Sequence, residues 1–205
     1  MQTKPFQILL GLSLLLVLLS PLAAVAQEGE FDAAAMQEAW EKAMSPGEPH
    51  QWLTKMVGEW TYETSMWMNP EAPPEKVQGE STKTMVMDGR YLQEEMRGEM
   101  MGQPFHGRGL TGYDNVRQEM VGTWIDNMNT GIAVVQGELD VKKKTIVMRG
   151  QMADPGSGQE LDLELVTRAE DDDHHTFEYY VILPDGNKMK QMEIRYVRKS
   201  AGSDS

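Results

Sequence analysis

Glu94, His106 and Asp126 are the residues best placed by type and spacing to move protons or hold a polar ligand. In Tyr91-Leu92-Gln93-Glu94-Glu95-Met96-Arg97, strand alternation puts Glu94 on the face of Leu92 and Met96. Burial favours the neutral form of an unpaired carboxyl group and suits it to acid–base work, whereas an ion pair with arginine makes it structural. Trp124, Asp126 and Met120 share one face by the same parity, so an inward Trp124 brings Asp126 inward. A buried carboxylate needs a partner, and Arg90 and Arg108 are the candidates. Arg90, Glu94, His106, Arg108, Trp124 and Asp126 are therefore the expected ligand-binding set. All but His106 are expected to converge on one side of a common interior. Asp126 can equally cap the turn from Asn127 to Gly131.

Other chemistries are weaker. The absence of cysteine removes thiolate nucleophiles, disulfides and cysteine metal sites. Of the four histidines, His174 and His175 fall in an acidic turn and are expected to face solvent; the others are His50 and His106. Seventeen methionines include the pairs Met66/Met68 and Met85/Met87, each expected to share a face, with Trp67 and His106 as further candidates. Thioethers suit Cu(I), but methionine is also the adaptable lining of cores and apolar cavities. No histidine lies inside the methionine runs, and no metal site or cofactor is assigned. Gly107-Arg108-Gly109-Leu110-Thr111-Gly112 lacks the lysine and following helix of a phosphate loop. Its glycines mark either a strand bend or room for a ligand. No Ser-His-Asp set or paired-carboxylate spacing stands out, so whether the chain is an enzyme stays open.

The elements that must position these residues follow from pattern. Residues 1–26 read as a signal peptide: Lys4, an apolar run from Ile8 to Leu19, a break at Ser20-Pro21, and Ala24-Val25-Ala26 as the cleavage site. The chain is then expected to start at Gln27 and to be exported to the periplasm or beyond, with no membrane span left after cleavage. Net charge is −13 and becomes one unit more negative without Lys4, which argues against nucleic-acid partners. Phe31 to Met44 carries Ala33, Met36, Trp40 and Ala43 on one helical stripe, expected to lie on the barrel or its mouth. Gln51 to Val57 adds a turn or two, completing an N-terminal helical segment over residues 27–57. From residue 58 to 198 the period is strand-like, with about ten strands punctuated by turn signals such as Asp88-Gly89, a two-residue hairpin signature. Leu161 to Leu165 alternates strictly. Phe177, Tyr179, Val181 and Leu183 alternate against Glu178, Tyr180 and Ile182, so both faces of that strand carry large apolar groups and suggest extra cover, as from the Phe31–Met44 helix. Residues 199–205 form a polar tail expected to be disordered. An all-β chain of about ten ordered antiparallel strands most simply closes into a barrel.

Gly58-Glu59-Trp60-Thr61-Tyr62-Glu63, Asp88-Gly89-Arg90-Tyr91-Leu92, Phe105 to Asp114 and Trp124 to Gly131 together resemble the DUF1579 family of exported bacterial proteins over residues 50–198. The Gly-x-Trp opening is similar to that of the calycin superfamily. The resemblance implies a calycin-like barrel and no agreed activity. Nitrobindin-like members of that superfamily hold haem through a histidine near the C-terminal end, and the strand Lys188 to Arg198 has none. The leading expectation is a non-enzymatic exported barrel that holds a small apolar or amphipathic molecule. The alternatives are an enzyme using Glu94, His106 or Asp126, or copper handling through methionine.

Overall fold

The computed structural model describes residues 32–69, 72–154 and 156–200. The expected signal peptide, the start at Gln27 and residues 201–205 of the tail lie outside them. Two helices, α1 (Ala33–Met44) and α2 (Glu48–Thr54), precede ten strands: β1 (Gly58–Met66), β2 (Glu75–Val86), β3 (Tyr91–Met100), β4 (Gln103–Asp114), β5 (Glu119–Asp126), β6 (Ala133–Asp140), β7 (Thr145–Ala153), β8 (Glu160–Ala169), β9 (His174–Ile182) and β10 (Lys188–Arg198). Each strand pairs antiparallel with its sequence neighbours, and β1 also pairs with β10, from Trp60 opposite Arg198 to Met66 opposite Met192. The sheet is a closed ten-stranded antiparallel barrel, as the strand count and order in the sequence imply. Closure removes the free edges that ten short strands would otherwise expose.

Turn chemistry fixes the ends. Met87, Asp88 and Gly89 all have positive φ (51°, 54° and 82°). Val86 pairs with Tyr91, so the β2–β3 connection is four residues rather than the two that Asp88-Gly89 suggests. Three successive left-handed residues need the longer loop. At Gly58, φ is +143° and an added Cβ would meet the Arg198 guanidinium at 2.4 Å, so only glycine fits where the chain enters the barrel.

The antiparallel order divides the loops between two ends. The turns after β2, β4, β6 and β8 share one end with α2, whose Trp52 and Leu53, with Met56 just beyond, form an apolar cluster with Leu92, Met120, Val135, Ile146 and Met148. Gly47 starts α2, its N–H donating to His50 Nδ1 at 3.0 Å. The plug at this end is thus α2.

The first helix, expected to lie against the barrel or its mouth, meets the mouth with its end, but its apolar stripe does not pack there. α1 is capped by Asp32, which accepts the Ala34 and Ala35 N–H groups at 3.0 Å, yet none of its residues is buried. Met36 is 45% exposed, Trp40 62% and Met44 54%. Only its C-terminal end is tied down. Asn115 Nδ2 donates to the carbonyls of Lys42, Ala43 and Ser45, and Arg90 donates to that of Met44 at 2.8 Å. A helix held by its end alone gains nothing from its apolar stripe. Urea unfolding should therefore separate the two helices: Leu53→Ala should cost about 2–5 kcal/mol, the usual range for a core leucine, and Trp40→Ala less than about 0.5 kcal/mol.

Candidate functional site

Strand register sets which side chains enter the lumen. Trp60, Tyr62 and Thr64 of β1, Ser81 and Lys83 of β2, Leu92, Glu94 and Met96 of β3, and His175, Phe177 and Tyr179 of β9 lie on the inner face. A second apolar cluster of Trp60, Tyr62, Met96, Phe105, Ile194 and Tyr196 runs from Trp60, whose Nε1 donates to the Met56 carbonyl beside α2, to Phe105 at the other end. It is bordered by partly accessible Met100, Trp124, Phe177 and Met192. Inward residues farther along the strands, Glu94, Thr111, Leu165 and Thr167, also keep some accessible surface. Eight strands enclose just enough space for side chains or one small ligand, and ten enclose more. The lumen therefore holds space reachable by water. A shallow depression of about 620 Å³ on the outer wall, beside Arg117, Glu138, Arg149 and Asp162, is separate from it.

Glycines make part of the inner wall flat. An added Cβ at Gly107 would meet the Trp124 ring at 2.2 Å and at Gly109 at 3.0 Å; at Gly79 and Gly98 it would meet the Tyr62 hydroxyl at 2.3 and 2.5 Å. The glycine-rich run of β4 thus makes room for the Trp124 side chain.

The polar centre of the lumen is Lys83. Its Nζ lies 2.8 Å from His175 Nε2, 3.3 Å from Glu94 Oε1 and 4.1 Å from the centre of the Tyr196 ring. Ser81 Oγ donates to the same Glu94 oxygen at 2.7 Å. The His175 ring stacks on Tyr196 at 4.2 Å and meets Trp60 edge-on at 4.4 Å. Burial lowers the Lys83 pKa, and Glu94 opposes that shift. Burial, then the charges of Lys83 and Arg198, push the His175 imidazole down to about 2, so it is neutral and can accept from Lys83. Its Nδ1 is buried with no hydrogen-bond partner. Burial and the Glu94 carboxylate raise the Tyr62 phenol to about 12 and raise Tyr196 as well.

The residues singled out by type and spacing are only partly brought together. Glu94, Trp124 and Asp126 lie on the inner face. Asp126 caps the β5–β6 turn, as the sequence allowed: Oδ2 accepts from Trp124 Nε1 at 2.9 Å, while Oδ1 accepts the Met128 and Asn129 N–H groups. Arg90 and Arg108 do not reach either carboxylate, which corrects the expected convergence. Arg90 ties the β2–β3 turn to α1 through the Met87 and Met44 carbonyls, and Arg108 faces outward onto Glu95. The partner of Glu94 is Lys83 instead. His106 lies opposite Arg97 on the outer face, one step out of phase with Phe105. His174 is exposed as expected, but His175 is only 2% exposed, against the expectation. The acidic turn ends at Asp173, two residues earlier than its composition suggests, because β9 already begins at His174. Met66 and Met68 do not share a face, since Met66 is buried and Met68 is 74% exposed; Met87 is likewise in the turn, 70% exposed. Among the described residues, no cluster of three or more His, Asp or Glu side chains is arranged to hold a metal. Lys83 and Ser81 escape a search by motif. Parity was the available signal, since both share a face with Met85, and extending Phe177 and Tyr179 back one step places His175 inside.

Fold and interior define a closed ten-stranded antiparallel barrel with one plugged end and a lumen of apolar walls around a buried polar cluster at Lys83, with a few further inward polar side chains. The chain belongs to the DUF1579 family, described as proteins of unknown function, whose model matches residues 45–198. No curated protein matches the sequence. Among solved structures, Rv2717c from M. tuberculosis is similar at 15% identity and a TM-score of 0.53, covering 76% of this chain and all of that one. The S-type phycobiliprotein lyase CPES from Guillardia theta is similar at 14% identity and a TM-score of 0.50, covering 80% of this chain and 98% of that one. At these identities the likeness is one of fold.

The buried neutral His175 makes stability depend on pH. Unfolded, it takes up a proton near 6.5; folded, it does not until about 2. Between these values the unfolded chain binds the extra proton, so stability is full above pH 6.5 and falls as the pH drops below it. The slope from His175 is about 1.4 kcal/mol per pH unit. His50, lowered chiefly by burial, adds in the same direction. Urea unfolding at pH 7.5, 6.0 and 5.0 should show this loss in the wild type and a clearly shallower one in His175→Gln, above the range where carboxylates titrate.

Proposed function

We propose that this chain is an exported, non-enzymatic barrel that binds a small, largely apolar molecule in its lumen, entering at the end opposite α2. The observation that carries this function is the accessible surface kept by the inward side chains Glu94, Thr111, Leu165 and Thr167 inside a barrel already closed by α2. Apolar walls with a few convergent polar groups are the usual make-up of a ligand site. Met100, Met192 and Phe177 give the open end an adaptable lining, and Trp124 stands there as a rigid wall. The similarity to a phycobiliprotein lyase is consistent with a ligand-holding barrel. Export is supported by the leader sequence alone, and N-terminal sequencing of protein recovered outside the cytoplasm should read from Gln27.

A neutral fluorescent probe tests the lumen directly. Nile red should bind saturably at one site, with blue-shifted emission. Thr111→Trp, which fills the lumen from the inner face of β4, should weaken that binding at least tenfold while the circular dichroism spectrum stays that of a folded barrel. Binding that survives the filling substitution would place the probe elsewhere and refute the lumen as its site.

A further inference from the structure

Given ligand binding in the lumen, we infer that the site selects a ligand whose polar head donates hydrogen bonds, an amine or an alcohol, and disfavours a carboxylate. The inner polar groups are sorted by what they already bond. Lys83 spends its protons on His175, Glu94 and the Tyr196 ring, and its side chain is only 5% exposed. Arg198, the other inward cation among the described residues, lies over the Trp60 ring. It donates to the carbonyls of Val57, Lys55 and Asp172 at 2.6, 2.9 and 2.9 Å. Four further donors are also engaged: Tyr62 with the Arg97 carbonyl, Ser81 with Glu94, Trp124 with Asp126, and Tyr179 with Met152 Sδ; the inward hydroxyls of Thr64, Thr111 and Thr167 carry no charge. His175 Nδ1 is sealed without accessible surface, against rings of Trp60 and Tyr196. No inward cation among the described residues is thus left to receive an anionic head.

Glu94 is the complement. Its side chain is 21% exposed although it points into the barrel, so it is the charged group of the central cluster that a ligand can touch. A carboxylate offers about four acceptor positions, and Ser81, Lys83 and Tyr196 account for at most three of them. An incoming ammonium or hydroxyl supplies the missing donor. An incoming carboxylate would meet a like charge at low dielectric. The net charge of −13 acts in the same direction at long range, attracting cations and repelling anions.

The test is a head-group series on one tail: dodecylamine, 1-dodecanol and dodecanoate, each displacing Nile red from the folded wild type at pH 7.5. The amine and the alcohol should displace it at concentrations at least tenfold below those needed for dodecanoate. In Glu94→Gln the preference for amine over acid should shrink at least tenfold. Lys83→Met/Glu94→Gln, which removes both charges, should show the same loss in a barrel that keeps no unpaired ammonium. Dodecanoate binding as well as the amine, or a preference unchanged in both variants, would overturn the head-group inference and leave lumen binding standing. Nile red binding insensitive to Thr111→Trp would instead remove lumen binding, and the inference with it.

Discussion

An ammonium group buried inside a β-barrel is the constraint around which this interior is arranged. An unpaired charge there would cost several kcal/mol. Lys83 is compensated by Glu94 from β3, neutral His175 from β9 and the Tyr196 ring from β10, while Ser81 shares the carboxylate. These partners span the seam where β1 joins β10. The Lys83–His175 contact links residues 92 apart in sequence across β1 and β10. A one-residue slip at that seam would turn His175 or Lys83 out to solvent and strand the other. The polar cluster therefore helps to specify the closing register as well as furnishing the lumen.

Two aromatic side chains on glycine platforms complete the inner wall. Tyr62 sits over Gly79 and Gly98, and Trp124 over Gly107 and Gly109, so β2–β3 and β4 give up side chains to admit them. Outside, β7 to β10 are held by ion pairs instead of by a covering helix. Glu164 takes Arg149 and Lys188, and Glu178 takes Arg168 and Lys190, which together hold its carboxyl at about 2 against the effect of burial. Tyr180 on that outer face lies under Lys190, 5.6 Å from the ring centre. The large apolar groups on both faces of β9 need no cover from α1, which leaves its stripe exposed.

The barrel was legible because its signals are local and repeated: alternation in β8 and β9, turn residues between strands, and Gly58-Glu59-Trp60 at the entrance. The inward positions of Glu94, Trp124 and Asp126 followed from the same parity. Partner choice was not legible. Arg90 is nearer in sequence to Glu94 than Lys83 is, and Arg108 lies on the neighbouring strand, but parity sends Arg108 outward, and the loop at Met87 to Gly89 turns Arg90 toward α1. Lys83 looked like any surface lysine in a polar strand; its parity with Met85 hinted at an inward position, and the register Lys83 opposite Glu94 shows its partner. His175 was obscured by the acidic residues before it. α1 misled because a helical apolar stripe states a capacity to pack and does not name the surface it meets.

The central claim is that Lys83 and Glu94 form one compensated unit inside the lumen, and a double-mutant cycle measures it most directly. Urea unfolding of Lys83→Met, Glu94→Gln and the double variant gives their coupling. Glu94→Gln should lose about 3–5 kcal/mol by leaving the ammonium unpaired, and the double variant should recover most of that loss, as paired buried charges do when removed together. Additive losses, with no recovery in the double variant, would contradict the pairing and the account of the interior built on it.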